Sequence, residues 1–154
     1  RNGNVARLAQ QVNALAATVS GAKLPKFSCT DTSGNTVSSS EITKAAVGVI
    51  YLWASWNYES TEMQRRLKQM KDKAGNKLCV IGFSVDAAQA SCNSFLERDS
   101  VKWSTVCDGL MFESKTVRTL GLYSIPSNIL LKNGKIIERN ISSQELMRKL
   151  EELL

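Results

Sequence analysis

Two uninterrupted apolar runs, Val47–Trp53 (VGVIYLW) and Leu78–Val85 (LCVIGFSV), constrain this chain more than any other feature. Both are rich in β-branched and aromatic residues, and neither alternates with charged positions. Strands of that kind must be covered on both faces, which is the condition of a parallel sheet between helices. The segment joining them carries Met63, Leu67, Met70 and Ala74 on one helical face and closes at Gly75. Strand, helix and strand in that order make a right-handed crossover unit. The pattern predicts an α/β fold.

The remaining segments fill in around that unit. Val5, Leu8, Ala9, Val12, Leu15, Ala16 and Val19 form one apolar helical face over residues 4–19, and Gly21 stops it. Residues 1–21 are therefore read as an extra N-terminal helix, either packed on its own domain or acting as a connector from an upstream region. Residues 22–154 are read as the domain itself. The chain opens at Arg1 with neither an initiator methionine nor a signal peptide, so the expectation is a processed product or a portion of a longer protein. Lys23–Cys29 reads as extended and Thr30–Asn35 as a turn. Residues 87–98 read as a helix, Trp103–Val106 as a short strand, and another short helix ends near Leu120-Gly121. Ser127–Leu131 and Lys135–Arg139 flank Lys132-Asn133-Gly134, a hairpin signal. A capping box, Ser142-x-x-Glu145, opens the last helix, which offers Leu146, Met147, Leu150, Leu153 and Leu154 to the core.

Composition removes much of the enzyme repertoire. Histidine is absent, which excludes Ser-His-Asp and Cys-His nucleophile pairs, H-E-x-x-H zinc sites and imidazole switches. No phosphate-binding G-x-x-x-x-G-K-[ST] loop occurs. The net charge of +6 is scattered; the one dense group is Arg65, Arg66, Lys68, Lys71, Lys73 and Lys77, read as a solvated helix face or a contact for an anionic partner. With three Trp, three Tyr and four Phe, no stacking platform stands out, and nucleic acid is not expected as a partner. No apolar run reaches the ~20 residues of a membrane span. Asp86, Asp108 and Glu113 fall at strand ends and turns, where capping or solvation is the expected role. The four cysteines, Cys29, Cys79, Cys92 and Cys107, form no C-x-x-C pair, and Cys79 sits in an apolar run that should bury it. No metal or cofactor is expected.

Leu52-Trp53-Ala54-Ser55-Trp56-Asn57-Tyr58-Glu59-Ser60 joins the first buried strand to the crossover helix. This junction resembles that of the thioredoxin-like superfamily, in particular the TlpA/ResA-type (AhpC/TSA-like) thiol–disulfide oxidoreductases, which carry W-A-S-W-C-x-x-C there. Leu24-Pro25-Lys26-Phe27, Ile81-Gly82-Phe83-Ser84-Val85-Asp86 and Gly121-Leu122-Tyr123-Ser124-Ile125-Pro126 resemble further motifs of the family, in the same order. The resemblance covers residues 22–154. It implies a central mixed sheet with helices on both faces, a cis peptide before Pro126, and a bacterial protein that is periplasmic or anchored at the cell envelope.

The chain departs from the family where the chemistry resides. Asn57 and Ser60 stand at the positions of the two cysteines. A thiolate at a helix N-terminus is stabilised by the helix field and free N–H groups, and attacks disulfides at neutral pH. A second thiol resolves the mixed disulfide. A carboxamide and an isolated hydroxyl do neither, but both residues are good helix starters. Ser60 has no histidine to act as its base. The expectation is a binding or structural module without dithiol redox activity and without catalytic residues. Trp53 is read as core. Trp56, Asn57, Tyr58, Ser60, Ile125 and Pro126 are read as a vestigial redox site, and the resemblance implies that such a surface receives a polypeptide. The alternative is a thiol–disulfide oxidoreductase or antioxidant-type enzyme working through a non-standard cysteine, Cys92 or Cys107, since neither lies in an obvious buried run.

Overall fold

The computed structural model describes residues 21–110 and 114–154. The helix expected over residues 4–19 and the side chain of Glu113 lie outside the described residues. A hairpin of β1 (Ser28–Thr30) and β2 (Thr36–Ser38) leads into α1 (Ser39–Thr43) and the first apolar strand, β3 (Val47–Trp53). Next come α2 (Tyr58–Ala74), a 3-10 turn (Gly75–Lys77), β4 (Leu78–Ser84), α3 (Gln89–Arg98) and β5 (Ser104–Val106). The chain closes with α4 (Lys115–Thr119), β6 (Ser127–Lys132), β7 (Lys135–Arg139) and α5 (Ser143–Leu153).

The main sheet has five strands in the order β5-β4-β3-β6-β7. β3 runs parallel to β4 and β4 to β5, while β6 and β7 are antiparallel to their neighbours. The sheet is mixed, with the two apolar runs side by side at its centre. Strand pleating then divides the core into two layers. Val47, Val49, Tyr51 and Trp53 of β3 pack with Met63 and Leu67 of α2, Cys92 of α3, and Leu146 and Leu150 of α5. Ile50 and Leu52 face the other way, toward Val37 of β2, Ile42 of α1 and Val117 of α4. This is the thioredoxin-like α/β arrangement, with helices on both faces of the sheet.

Local sequence accounts for several boundaries. Asn133 and Gly134 both take positive φ, 51° and 83°, as a two-residue type I′ hairpin turn requires. Ser142 caps α5 by accepting from the Glu145 N–H at 3.1 Å, while the Glu145 carboxylate pairs with Arg148. Two expectations need correction, and one helix had not been read from the sequence. The extended stretch before the first turn condenses to the three residues of β1, with Lys23 making only an isolated bridge to Lys135. The short helix α1 was not legible, because its single buried apolar contact, Ile42, gives no periodicity. Cys79 is half-buried rather than enclosed, although burial still pushes its thiol pKa up.

Close approach of side chain to backbone fixes one glycine. A Cβ at Gly82 would stand 2.9 Å from the Tyr51 ring. That ring is fully buried, and its hydroxyl donates to Gln64 Oε1 at 2.6 Å and accepts from Trp103 Nε1 at 3.0 Å. Gly82→Ala should therefore destabilise the domain by about 1–3 kcal/mol in urea melts. A variant as stable as the parent would show that the ring and its two partners can shift freely.

Candidate functional site

The site lies where β3 ends and α2 begins. Asn57 has extended backbone angles (φ −108°, ψ 110°) and is the N-cap of α2. Its Oδ1 accepts from the Ser60 N–H at 2.8 Å, satisfying one of the free donors of the first turn. Ser60 is fully buried. Its hydroxyl accepts from the Ala54 N–H at 3.1 Å and has the carbonyl oxygens of Asn57 and Ala54 at 2.9 and 3.1 Å for its own proton. Ser60 therefore belongs beneath the helix start and not on the exposed surface where it was expected. Its proton is held by main-chain oxygens, and no base faces it.

A second anchor comes from the end of β4. The Asp86 side chain is buried, 1% exposed, and this corrects the reading of it as a solvated or simple capping group. Oδ1 accepts from the Ser55 hydroxyl at 2.6 Å and its N–H at 3.1 Å, and Oδ2 accepts from the Ser84 hydroxyl at 2.8 Å. The carboxyl thus ties the loop leaving β3 to the neighbouring strand. Its role was missed in sequence, although the string Ser84-Val85-Asp86 marked the position. Asp108 is a local cap, accepting from the Leu110 N–H at 2.9 Å.

The exposed aromatic groups border this junction. Trp56 is 62% and Tyr58 74% exposed, whereas Trp53 is wholly buried. The Tyr58 hydroxyl donates to Glu62 at 3.0 Å, and this bond, joined by one from Arg65, lowers the Glu62 pKa. The register pairs Leu52 with Ser127, so Pro126 falls level with Trp53 at the exit of β3. The Ile125–Pro126 peptide is cis, and both residues are half-buried. Trp56, Asn57, Tyr58, Ile125 and Pro126 thus come from two segments that the sheet sets side by side.

The cysteines divide into two groups, all free thiols. Cys29 is half-buried, and burial raises its pKa. Cys92 and Cys107 are both buried, at 0% and 7% exposure, although neither lies in an obvious buried run of the sequence. Both belong to the core layer that holds Tyr51 and Val80, and Cys107 Sγ lies 3.5 Å from the carbonyl oxygen of Asp86. Nothing in their 15-residue spacing announced this shared layer. Three of the six basic residues are engaged locally: Arg65 pairs with Glu62 and Asp99, Lys68 with Asp72, and Lys71 donates to the carbonyls of Gly75 and Leu78. Among the described residues no cluster of Cys, Asp and Glu is arranged to hold a metal ion, and no helix is long and apolar enough to cross a membrane.

A five-stranded sheet of this order, with a helix start beside a proline loop, defines a thioredoxin-like domain of the thiol–disulfide oxidoreductase type. The chain belongs to the AhpC/TSA family, which matches residues 20–139. It is similar to a thiol-disulfide oxidoreductase from Bacteroides fragilis at 29% identity, with a TM-score of 0.74 over 86% of this chain and 99% of that one. The thioredoxin domain of a thiol-disulfide oxidoreductase from Bacteroides vulgatus superposes with a TM-score of 0.73 at 19% identity, over 87% and 96% of the two chains. A secreted Mycobacterium tuberculosis disulfide oxidoreductase, homologous to E. coli DsbE, gives a TM-score of 0.69 at 15% identity, over 82% and 95%. No curated protein matches the chain.

The capping bond makes a direct prediction. Asn57→Ala should cost about 0.5–2 kcal/mol in denaturant melts, and Asn57→Asp should retain most of the stability. Equal stability of the alanine variant and the parent would show that the bond to Ser60 contributes nothing.

Proposed function

We propose that this domain is a thioredoxin-fold binding or structural module, inactive as a dithiol exchanger at positions 57 and 60, that holds an extended polypeptide against Trp56, Tyr58, Ile125 and Pro126. The observation that carries this reading is how Asn57 and Ser60 are used. One caps the helix and the other is sealed beneath it, so the helix start is preserved as a scaffold with no nucleophile in it. The exposed indole and phenol provide apolar contact area with hydrogen-bonding tips, a combination suited to peptide surfaces. The B. fragilis relative is described as a thiol-disulfide oxidoreductase, a class whose substrates are disulfide-bearing molecules, and the same face is the natural place for a partner chain here. The periplasmic or envelope-anchored location implied by the family resemblance forms part of the same proposal.

One observation favours the alternative of an exchange enzyme with a relocated nucleophile, namely that Cys92 and Cys107 lie in the same core layer. Their burial counts against it, because a protein disulfide cannot reach either sulfur without local opening.

Two measurements test the proposal. In an insulin-reduction assay with dithiothreitol the parent should give no acceleration over the blank, while Asn57→Cys/Ser60→Cys should close a disulfide between the two positions and accelerate the reaction. Acceleration by the parent would overturn the redox-inactive reading, and a double variant that never bridges would show that the helix start is not a vestigial dithiol site. Titration with reduced, carboxymethylated lactalbumin should shift NMR signals at Trp56, Tyr58 and Ile125. Shifts elsewhere only, or none, would remove the binding surface.

A further inference from the structure

The end of the sheet opposite the helix start carries a recess that the function proposed above does not use. β4 starts at Leu78, but β5 pairs with it only from Ile81 to Phe83. Leu78, Cys79 and Val80 therefore have β3 on one side and no strand on the other. A recess of about 850 Å³ opens along that bare edge. Small-ligand clefts span ~300–1,000 Å³. Leu78 and Val80, at 0% and 3% exposure, form its floor. Ser84, which finishes beside Trp53 at the candidate site, is about 20 Å further along the strand.

One wall of the recess is aromatic and held in place. Trp103 lines it and is half-buried. Its indole N–H donates to the Tyr51 hydroxyl at 3.0 Å, and that hydroxyl donates to Gln64 Oε1 at 2.6 Å. The Tyr51 and Trp103 rings meet edge to face with centroids 6.1 Å apart. Tyr51 and Gln64 are fully buried, so the indole is fixed from the protein interior.

The other walls are basic. Lys44 at the end of α1, Lys68 and Lys71 of α2 and Lys102 before β5 line the recess together with Glu41 and Asp72. Lys68 is matched by Asp72 at 2.6 Å. Lys71 donates to the main-chain carbonyls of Gly75 and Leu78, which fix its ammonium without cancelling its charge. Lys44 and Lys102 are exposed and make no ion pair among the described residues. Glu41 alone offsets these three ammonium groups. The run of basic residues on α2 supplies only part of this charge, and the fold brings the rest from two other segments.

We propose that this recess binds a small organic anion, a carboxylate or phosphate borne on a flat apolar ring. The ring takes the space between the Trp103 indole and the floor of Leu78 and Val80, where it leaves water for apolar surface. The oxyanion is met by Lys44, Lys71 and Lys102. Each such pair is weak at an exposed site, so affinity requires the ring and the charge together. Glu41 opposes the anion and limits how tightly it is held.

The test is titration of the whole chain with phenyl phosphate and with benzoate, followed by NMR. The indole N–H signal of Trp103 reports on the recess. It should shift saturably with at least one probe, together with the amides of Val80 and Ser104, and the tighter probe tells phosphate from carboxylate. Lys44→Ala and Lys102→Ala should each weaken binding about two- to fivefold, and Glu41→Gln should tighten it by a similar factor. All three side chains are exposed, so the variants keep the fold. Lys73→Ala removes a charge from the same helix outside the recess and should change nothing. Absence of a saturable Trp103 shift by about 10 mM of either probe would overturn the proposal. So would an equal loss of affinity in Lys73→Ala, or inorganic phosphate binding as tightly as phenyl phosphate. The insulin and lactalbumin measurements read the opposite end of the sheet, so the two proposals fail separately.

Discussion

The parallel ladder between β3 and β4 is the constraint from which the site hangs. Seven residues of each strand are paired in one register, from Val47 with Leu78 to Trp53 with Ser84. Both strands are buried on both faces, so a one-residue slip would turn every side chain of one layer into the other. That register sets the ends of the strands level. Trp53 and Ser84 finish side by side, and the loops that follow begin together. The antiparallel pairing of β3 with β6 adds the proline loop at the same height. The groups at the junction owe their proximity to this ladder and little to their own chain neighbours.

At the helix start, one geometry serves two chemistries. The free N–H groups of a first turn stabilise either a thiolate or a side-chain oxygen. Here the acceptor is the Asn57 carboxamide, which bonds the Ser60 N–H, and the Ser60 hydroxyl completes the turn from below. The substitution retains what the helix needs from its first residue and removes the nucleophile. The helix start of this thioredoxin-like domain is thus held by an amide and a hydroxyl.

Asp86 is the most connected polar group of the junction. Burying a carboxyl is costly unless its oxygens are bonded, and here both are, to Ser55 and Ser84. Its main chain also contacts the thiol of Cys107. One residue thus links the loop before Trp56, the end of β4 and Cys107.

Much of the fold was legible in the sequence because it rests on local rules. Continuous apolar runs specify buried strands, three-and-four spacing specifies the faces of α2 and α5, Asn133-Gly134 specifies its turn, and Asn57 and Ser142 mark helix starts. The positions of Asn57, Trp56 and Pro126 were legible through the resemblance to the family's motifs, which occur here in the same order. Other features depend on contacts between residues far apart in the chain, on which local patterns are silent. Ile42 makes α1 a cover for the sheet through one side chain. Ser60 is buried because α2 begins beneath its own loop. Cys92 and Cys107 are buried in one core layer with Tyr51 and Val80, although both lie outside any apolar run of the sequence. The sequence by itself determined which segments become strands and helices and that the helix start lacks its thiols. Only the tertiary structure decided which side chains are enclosed and which of them touch, since burial and contact belong to the packing of the sheet and not to any one segment.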